Sequence, residues 1–339
     1  MKILILKSSS LGDIIHALPV LRLLKSHWPE SQIHWWVANG LATLLDNDPD
    51  LAGLFLLQRQ RWRNPVYWPE AVASARAMRA ERFDLAIDLQ GLARSALFGW
   101  FAGAACTVGL DYSREGAAAA YDLTAPPVPP ETHAVERYLT VLRLLQVPIH
   151  WRFQWLRDNS DAAAQVRVKW QPGNKPWVLL FPGARGANKR WPVRHFIELC
   201  RLLTRRPDLH IAVLGGGADQ ALGKAITEQI PGRCLDLTGQ TSLWEMVEWI
   251  RLSRLLITND TGPMHIAAAL KKPVVAIFGP TSPARTGPYG QLHHVLQVTG
   301  LPCAPCLQRE CYYHDPLACL HRLEPQVVLE KALDVIGAK

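Results

Sequence analysis

Short apolar runs separated by amphipathic stretches of helical length recur along the chain, and this alternation limits the fold more than any other feature. In the first half Ile3–Lys7, Ile33–Ala38, Leu54–Leu57, Leu85–Leu89 and Thr107–Leu110 read as strands. Helical patterns such as Ile14–Ser26 and Pro69–Arg82 lie between several of them. In the second half Trp177–Phe181, Ile211–Leu214, Leu235–Leu237, Leu255–Thr258, Val274–Phe278 and Val295–Val298 repeat the scheme, with helices expected over Arg194–Arg205, Gln220–Gln229, Leu243–Leu252 and Pro263–Leu270. Continuously apolar strands are buried on both faces, and the helices between them supply the crossovers that parallel pairing needs. The fold class is therefore α/β, with parallel sheets covered on both sides. A chain of 339 residues exceeds what one core usually spans, so two domains are expected.

The break falls around Leu156–Pro176. Asp158-Asn159-Ser160-Asp161 is polar, and Gln171-Pro172-Gly173-Asn174 is turn chemistry. The expected organisation is a Rossmann-like, doubly wound domain over residues 1–157 and a second over 175–322. Such sheets bind ligands at the carboxyl ends of their strands, so two of them facing each other leave one central cleft. The segment 323–339, with a helix over Pro325–Ile336, is expected to pack back on the first domain.

The formal net charge is +8, from 37 Lys and Arg against 29 Asp and Glu. This surplus favours anionic partners, among them nucleic acid, phosphorylated sugars and acidic lipid headgroups; solubility alone is the plain alternative. The first apolar run is too short for a signal-peptide core and reads as a strand. The longest, Ala96–Leu110, is interrupted by Gly99 and Gly103 and is shorter than the ~20 residues that cross a bilayer. It reads as a buried helix followed by a strand, and the protein is expected in the cytoplasm. Seven cysteines cannot all pair with one another. Cys303, Cys306, Cys311 and Cys319 cluster, but their later spacings are irregular. A reduced, loop-packing group is expected there rather than a zinc or iron–sulfur site.

Six stretches carry chemistry. An apolar run from Leu255 delivers Asp260-Thr261-Gly262 to a helix expected from Pro263. Free N–H groups and the positive helix end suit a phosphate there, with Asp260, Thr261 and His265 around it; simple capping by Asp260 and Thr261 is the alternative. The first turn, Lys7-Ser8-Ser9-Ser10-Leu11-Gly12-Asp13, places Asp13 where a helix begins, as a cap or as a general base. G-x-G-x-x-G is absent, so this is not a dinucleotide fingerprint. Phe181–Pro192 brings Lys189 and Arg190 after a strand, suited to neutralising a leaving diphosphate. Gly215–Asp219 allows close backbone approach, with Asp219 an acceptor for ribose hydroxyls. On the first domain, Arg59, Arg61 and Arg63 alternate after the third strand, and Gln90 and Arg94 follow the fourth. They suit an acceptor rich in carboxylates or phosphates, against the ordinary reading of solvated charged loops.

These residues resemble the bacterial lipopolysaccharide heptosyltransferases, inverting glycosyltransferases with two Rossmann-like domains of the GT-B type. The matching pieces are Lys7–Asp13, Asp88–Ser95, Phe181–Ala184 with Lys189–Pro192, Asn259–His265 and Phe278–Tyr289. The resemblance implies transfer of heptose from an ADP-heptose donor to the inner core of lipopolysaccharide, either Kdo-lipid A or singly heptosylated core. It implies Asp13 as catalytic base, and Lys189, Asp260, Thr261, Gly262 and His265 around the donor. By looser alignment it puts Asp219 and Thr241 near the nucleoside. Some members carry a larger apolar residue where Thr241 stands. The acceptor then falls to Arg59, Arg61, Arg63, Gln90 and Arg94. No cofactor, metal or nucleic acid is expected, and the enzyme is expected to sit peripherally on the cytoplasmic face of the inner membrane. A transferase for another nucleotide sugar, a nucleotide-sugar epimerase and a non-enzymatic binding protein are the alternatives.

Overall fold

The computed structural model describes residues 1–337. The chain divides into two compact units, Met1–Arg157 and a second from Asp158 on. In the first, six parallel strands, β1 (Lys2–Leu6), β2 (Gln32–Ala38), β3 (Gly53–Leu57), β4 (Leu85–Asp88), β5 (Cys106–Gly109) and β6 (Leu123–Thr124), lie in the order β3-β2-β1-β4-β5-β6. Its helices are α1 (Leu11–His27), α2 (Asn39–Ala42), α3 (Trp68–Ala80), α4 (Ala93–Ala102) and α5 (Ala134–Leu144). The two-residue β6 carries too little apolar sequence to register as a strand.

The second unit repeats the plan. Strands β7 (Trp177–Phe181), β8 (His210–Val213), β9 (Cys234–Asp236), β10 (Leu255–Asn259), β11 (Val274–Phe278) and β12 (Val295–Gln297) are ordered β12-β11-β10-β7-β8-β9, again all parallel. Numbered within each unit, both sheets read 3-2-1-4-5-6, the doubly wound Rossmann order. The helices are α6 (Ser160–Trp170), α7 (Val193–Leu203), α8 (Gln220–Thr227), α9 (Leu243–Leu252), α10 (Gly262–Ala269), α11 (Pro283–Thr286), α12 (Ala318–His321) and α13 (Pro325–Val335). The central strands β7, β10 and β11 are buried along their whole length. That is why they read as unbroken apolar runs.

Three expectations need correcting. The polar run at 158–161 is not a linker but the start of α6, where Asn159 Oδ1 accepts the Ala162 N–H at 3.0 Å, and α6 packs on α9. Turn-forming residues also make helix caps, so the two readings share one composition. The C-terminal helix α13 packs on α7 and β11, with Val328 and Ala332 in the second unit's own core, instead of returning to the first domain. An amphipathic stripe fixes that a helix is buried, not what buries it. The end of that segment, Ala338 and Lys339, lies outside the described residues. Finally, the helix expected to be buried within Ala96–Leu110 buries only Ser95, Ala96, Gly99 and Ala102, while Leu97, Trp100 and Phe101 stand exposed. No helix among the described residues is long and apolar enough to cross a membrane.

Candidate active site

In a sheet ordered 3-2-1-4-5-6 the crossovers leave to opposite sides at the boundary between its first and fourth strands, and the parted loops open a crevice at the carboxyl ends. Each unit has one such point. In the first unit it lies between β1 and β4, where Leu6 pairs with Asp88. In the second it lies between β7 and β10, where Phe181 pairs with Thr258. The predicted chemistry falls at these two places.

At the first, Asp13 occupies the third position of α1. Its Oδ2 accepts the Ser10 backbone N–H at 2.7 Å and the Ser10 hydroxyl at 2.8 Å, a capping box. Its other oxygen, Oδ1, accepts from the Tyr138 hydroxyl at 3.4 Å. The structure therefore makes Asp13 part of a cap, with Tyr138 as a further donor to its carboxylate. Burial, with the Asp13 charge beside it, pushes the Tyr138 phenol well above its usual range, so it remains a donor. Lys7 is buried alongside. Its Nζ donates to the Leu89 carbonyl at 2.9 Å and lies 4.7 Å from the Tyr138 ring centroid. Burial pulls its pKa down, against the raising effect of Asp13 and Asp88.

Gln90 is drawn into the same turn: its Oε1 accepts from Ser8 N, Ser8 Oγ and Ser9 N at 3.1–3.2 Å. Beneath it, fully buried Asp88 accepts from Gln90 N, Gly91 N, Ser95 Oγ and Tyr121 Oη at 2.8–3.0 Å. Burial raises the Asp88 pKa, and those four donors oppose the rise. Gln90 thus holds the β1–α1 turn, a role the sequence did not announce.

At the second crevice, Lys189 Nζ lies 2.6 Å from Asp260 Oδ2, which also accepts from Thr281 Oγ1 at 2.7 Å. One carboxylate thereby ties together the loops after β7, β10 and β11. Asn259, fully buried, stitches the first two again: its Oδ1 accepts the Trp191 N–H at 3.0 Å and its Nδ2 donates to the Pro182 carbonyl at 2.8 Å. Helix α10 starts at Gly262, one residue earlier than expected, with Thr261 in the extended capping position and Pro263 second in the helix. Asp260 is thus the ion-pair partner of Lys189 and not the cap. His265 is buried one turn into α10.

Asp219 lies against Gly183: a Cβ on that glycine would stand 2.2 Å from Asp219 Oδ1, so glycine is required there. Asp219 Oδ2 also accepts the Gly216 N–H at 3.0 Å. Thr241, half-buried, sits in the turn between β9 and α9, next to the Ser242 that caps α9. The ends of β8 and β9 are joined there by Gly239 N to Gly215 O at 2.9 Å.

The predicted acceptor arginines separate. Arg59, Arg63 and Arg94 line one groove between α3 and α4. The Arg94 pKa is lowered by burial and by Arg59 and Arg63 beside it. Arg61 does not join them; in a 3-10 turn it pairs with Glu70 at 2.6 Å and lies over the Tyr67 ring at 4.2 Å. The sheet ends at Leu57, as expected, and beyond it the 3-10 turn Arg61–Arg63 puts Arg61 apart from Arg59 and Arg63. An Asp-x-Asp motif, expected to be missing, is present in Asp46-Asn47-Asp48-Pro49-Asp50. The structure uses it for an ion pair, with Asp48 and Asp50 gripping Arg22 at 2.6 and 2.7 Å. Cys303, Cys306, Cys311 and Cys319 line one small cavity and are all free thiols. Among the described residues no group of three or more His, Cys, Asp or Glu is arranged to hold a metal. Tyr138 and Thr281 belong to the two crevices and escaped sequence reasoning; only the Phe278-Gly-Pro-Thr281 segment gave a signal, and for Tyr138 there was none.

Known proteins share this sequence pattern and fold. The sequence pattern of glycosyltransferase family 9 (heptosyltransferase) matches residues 71–316. Lipopolysaccharide heptosyltransferase 1 of Pseudomonas aeruginosa is 30% identical, over 97% of this chain and 96% of that protein. Lipooligosaccharide heptosyltransferase 2 of Haemophilus ducreyi is also 30% identical, over 85% of this chain and 86% of that protein. The solved structure of the ADP-heptose lipopolysaccharide heptosyltransferase II of E. coli is similar with a TM-score of 0.78 at 26% identity, covering 99% of both chains.

Proposed function

This chain belongs to glycosyltransferase family 9, the heptosyltransferases, and we propose on that footing that it moves a heptose from ADP-heptose to the inner core of lipopolysaccharide. The observation that carries the reading is the Lys189–Asp260–Thr281 cluster at the mouth of α10. A bare carboxylate there would repel a diphosphate. Lys189 neutralises it, which leaves the first N–H groups of α10 and the positive helix end to hold the anion. Lys189 shares its charge between Asp260 and the departing ADP, Thr261, Gly262 and His265 surround the phosphates, and Asp219 and Thr241 flank the nucleoside. The donor and acceptor follow from the relatives, among them the ADP-heptose lipopolysaccharide heptosyltransferase II of E. coli.

Asp13 takes the proton of the acceptor hydroxyl. The freed oxygen attacks the anomeric carbon, the carbon–oxygen bond to the diphosphate breaks, and ADP leaves with the electron pair, so the configuration inverts. Tyr138 donates to Asp13, and the charge of buried Lys7 lies close to it. Arg59, Arg63 and Arg94 hold the anionic acceptor; Arg61, committed to Glu70, is set aside. The reaction as read takes no metal or cofactor. The enzyme works in the cytoplasm, docked on the inner membrane face, which a net charge of +8 supports.

The test is a competition assay. ADP-heptose is set against UDP- and GDP-sugars, with Kdo-lipid A and singly heptosylated core as acceptors, since relatives named for the first and second enzymes stand at the same identity. Transfer from ADP-heptose to one of the two is expected. Transfer only from another nucleotide sugar, or isomerisation of donor without acceptor, refutes the reading.

A further inference from the structure

We infer that the α3–α4 face of the first unit is a docking surface for an anionic lipid leaflet. Helix α4 is turned inside out relative to an ordinary core helix. Its small residues Ser95, Ala96, Gly99 and Ala102 face the sheet, and a Cβ on Gly99 would stand 2.9 Å from Leu6 Cδ1. Its large ones face water: Leu97 is 51% exposed, Trp100 61% and Phe101 43%. Helix α3 buries only Met78 of its thirteen residues and presents Trp68 and Val72, 59% and 49% exposed. Contiguous exposed apolar side chains of this size mark an interaction surface.

Between the helices runs a groove of about 610 Å³. Its floor is stacked aromatic: Trp62 lies over Phe98 at 5.8 Å, and Phe98 packs on Trp36. The Trp62 indole N–H, shut off from water, has no acceptor among the described residues. All the charged side chains lining the groove are cations: Arg59, Arg63 and Arg94 near the carboxyl ends of the strands, and Arg76 and Arg79 farther along α3. An apolar trough with a wholly cationic rim, flanked by exposed tryptophans, complements one chemistry: acyl chains beneath negatively charged headgroups. A protein partner would have to bring both acidic and apolar groups to the same strip. The groove is continuous with the arginines read above as acceptor-binding, so an acceptor carried in the same leaflet arrives at the site from the surface on which the enzyme rests. The inference rests on that reading only for this last consequence; docking stands or falls separately.

The experiment is flotation of the full chain with vesicles of phosphatidylcholine alone or mixed with phosphatidylglycerol, without acceptor. Binding to the anionic vesicles at least about tenfold tighter than to neutral ones is expected, weakening as salt is raised. The double variant Leu97→Glu with Trp100→Glu, at exposed positions, should lose about tenfold or more of that binding. So should Arg76→Glu with Arg79→Glu. Both should keep wild-type turnover on a deacylated, soluble acceptor, which also shows that they fold. Equal binding to neutral vesicles, or unchanged vesicle binding by Leu97→Glu with Trp100→Glu, overturns the inference. A variant that changes only the oligomeric state in sedimentation velocity, or a wild type that binds only when acceptor is in the vesicle, overturns it too. Vesicle docking without any heptosyl transfer would instead defeat the proposed function and leave the docking surface standing.

Discussion

Equivalent helices in the two units are dressed in opposite ways. In the second unit α9 buries Trp244, Val247, Trp249 and Ile250, with α6 packed over it, and α10 buries most of its eight residues. Their counterparts α3 and α4 hold the same places in a sheet of the same order, yet keep one buried residue and four small ones. The crevices differ in the same spirit. The second is locked by a lysine–carboxylate pair that ties three loops, whereas the first holds a capping carboxylate that also accepts from Tyr138, with a buried lysine nearby. On the proposed reading one topology serves two physical tasks: a cradle for charge in one unit, a proton acceptor and an outward apolar face in the other.

The largest expected effect tests whether the proton chemistry belongs to the first unit alone. Asp13→Asn keeps an acceptor for the Ser10 N–H but loses basicity. Turnover should fall by about 10²–10⁴-fold, while ADP affinity, measured by calorimetry, stays at the wild-type value. Near-normal turnover would remove the base and leave only the cap. Next comes the contrast between helices. Trp249→Ala should cost about 3–5 kcal/mol in urea unfolding, and Leu97→Ala no more than about 0.5 kcal/mol. Similar costs at the two sites would erase the difference between the flanks.

The third test addresses the cradle. Lys189→Met strands the largely buried Asp260 carboxylate, at about 1–3 kcal/mol of stability, and should weaken ADP by about tenfold. Adding Asp260→Leu should restore stability but not ADP affinity, because the lysine charge that faces the diphosphate is still missing; recovery of both would make the lysine purely structural. The smallest effect is on pH dependence. The folded pKa of Lys7 is lowered below 10.5 by burial. The stability linked to it is therefore full above 10.5 and is lost as pH falls toward the lowered value. Between neutral pH and 10.5 the wild type should gain on Lys7→Met as pH rises, by at most ~1.4 kcal/mol per pH unit. A flat difference would mean the ammonium is not buried.

Much of this was written locally. Strands buried on both faces must be apolar without interruption, so eleven of the twelve were legible, and β6 was too short to show. Turns at the ends of such strands carry small and polar residues next to helix starts, so Asp13, Lys189 and Asp260 could be picked out. Whether Asp260 caps or pairs, which of Arg59, Arg61 and Arg63 share a groove, and what else meets the Asp13 carboxylate depend on neighbours 9 to 125 positions away. Glu70 takes Arg61, Thr281 completes Asp260, and Tyr138 reaches Asp13 across 125 positions.

What the sequence determined by itself is periodicity: two parallel α/β halves and the loops where chemistry gathers, because hydrophobic spacing is a property of consecutive residues. What only the tertiary structure decided is partnership and facing. That Leu97, Trp100 and Phe101 look outward while Gly99 meets Leu6 follows from how closely α4 approaches the sheet. A run of apolar letters reads the same whether it is covered by its own chain or left for another surface.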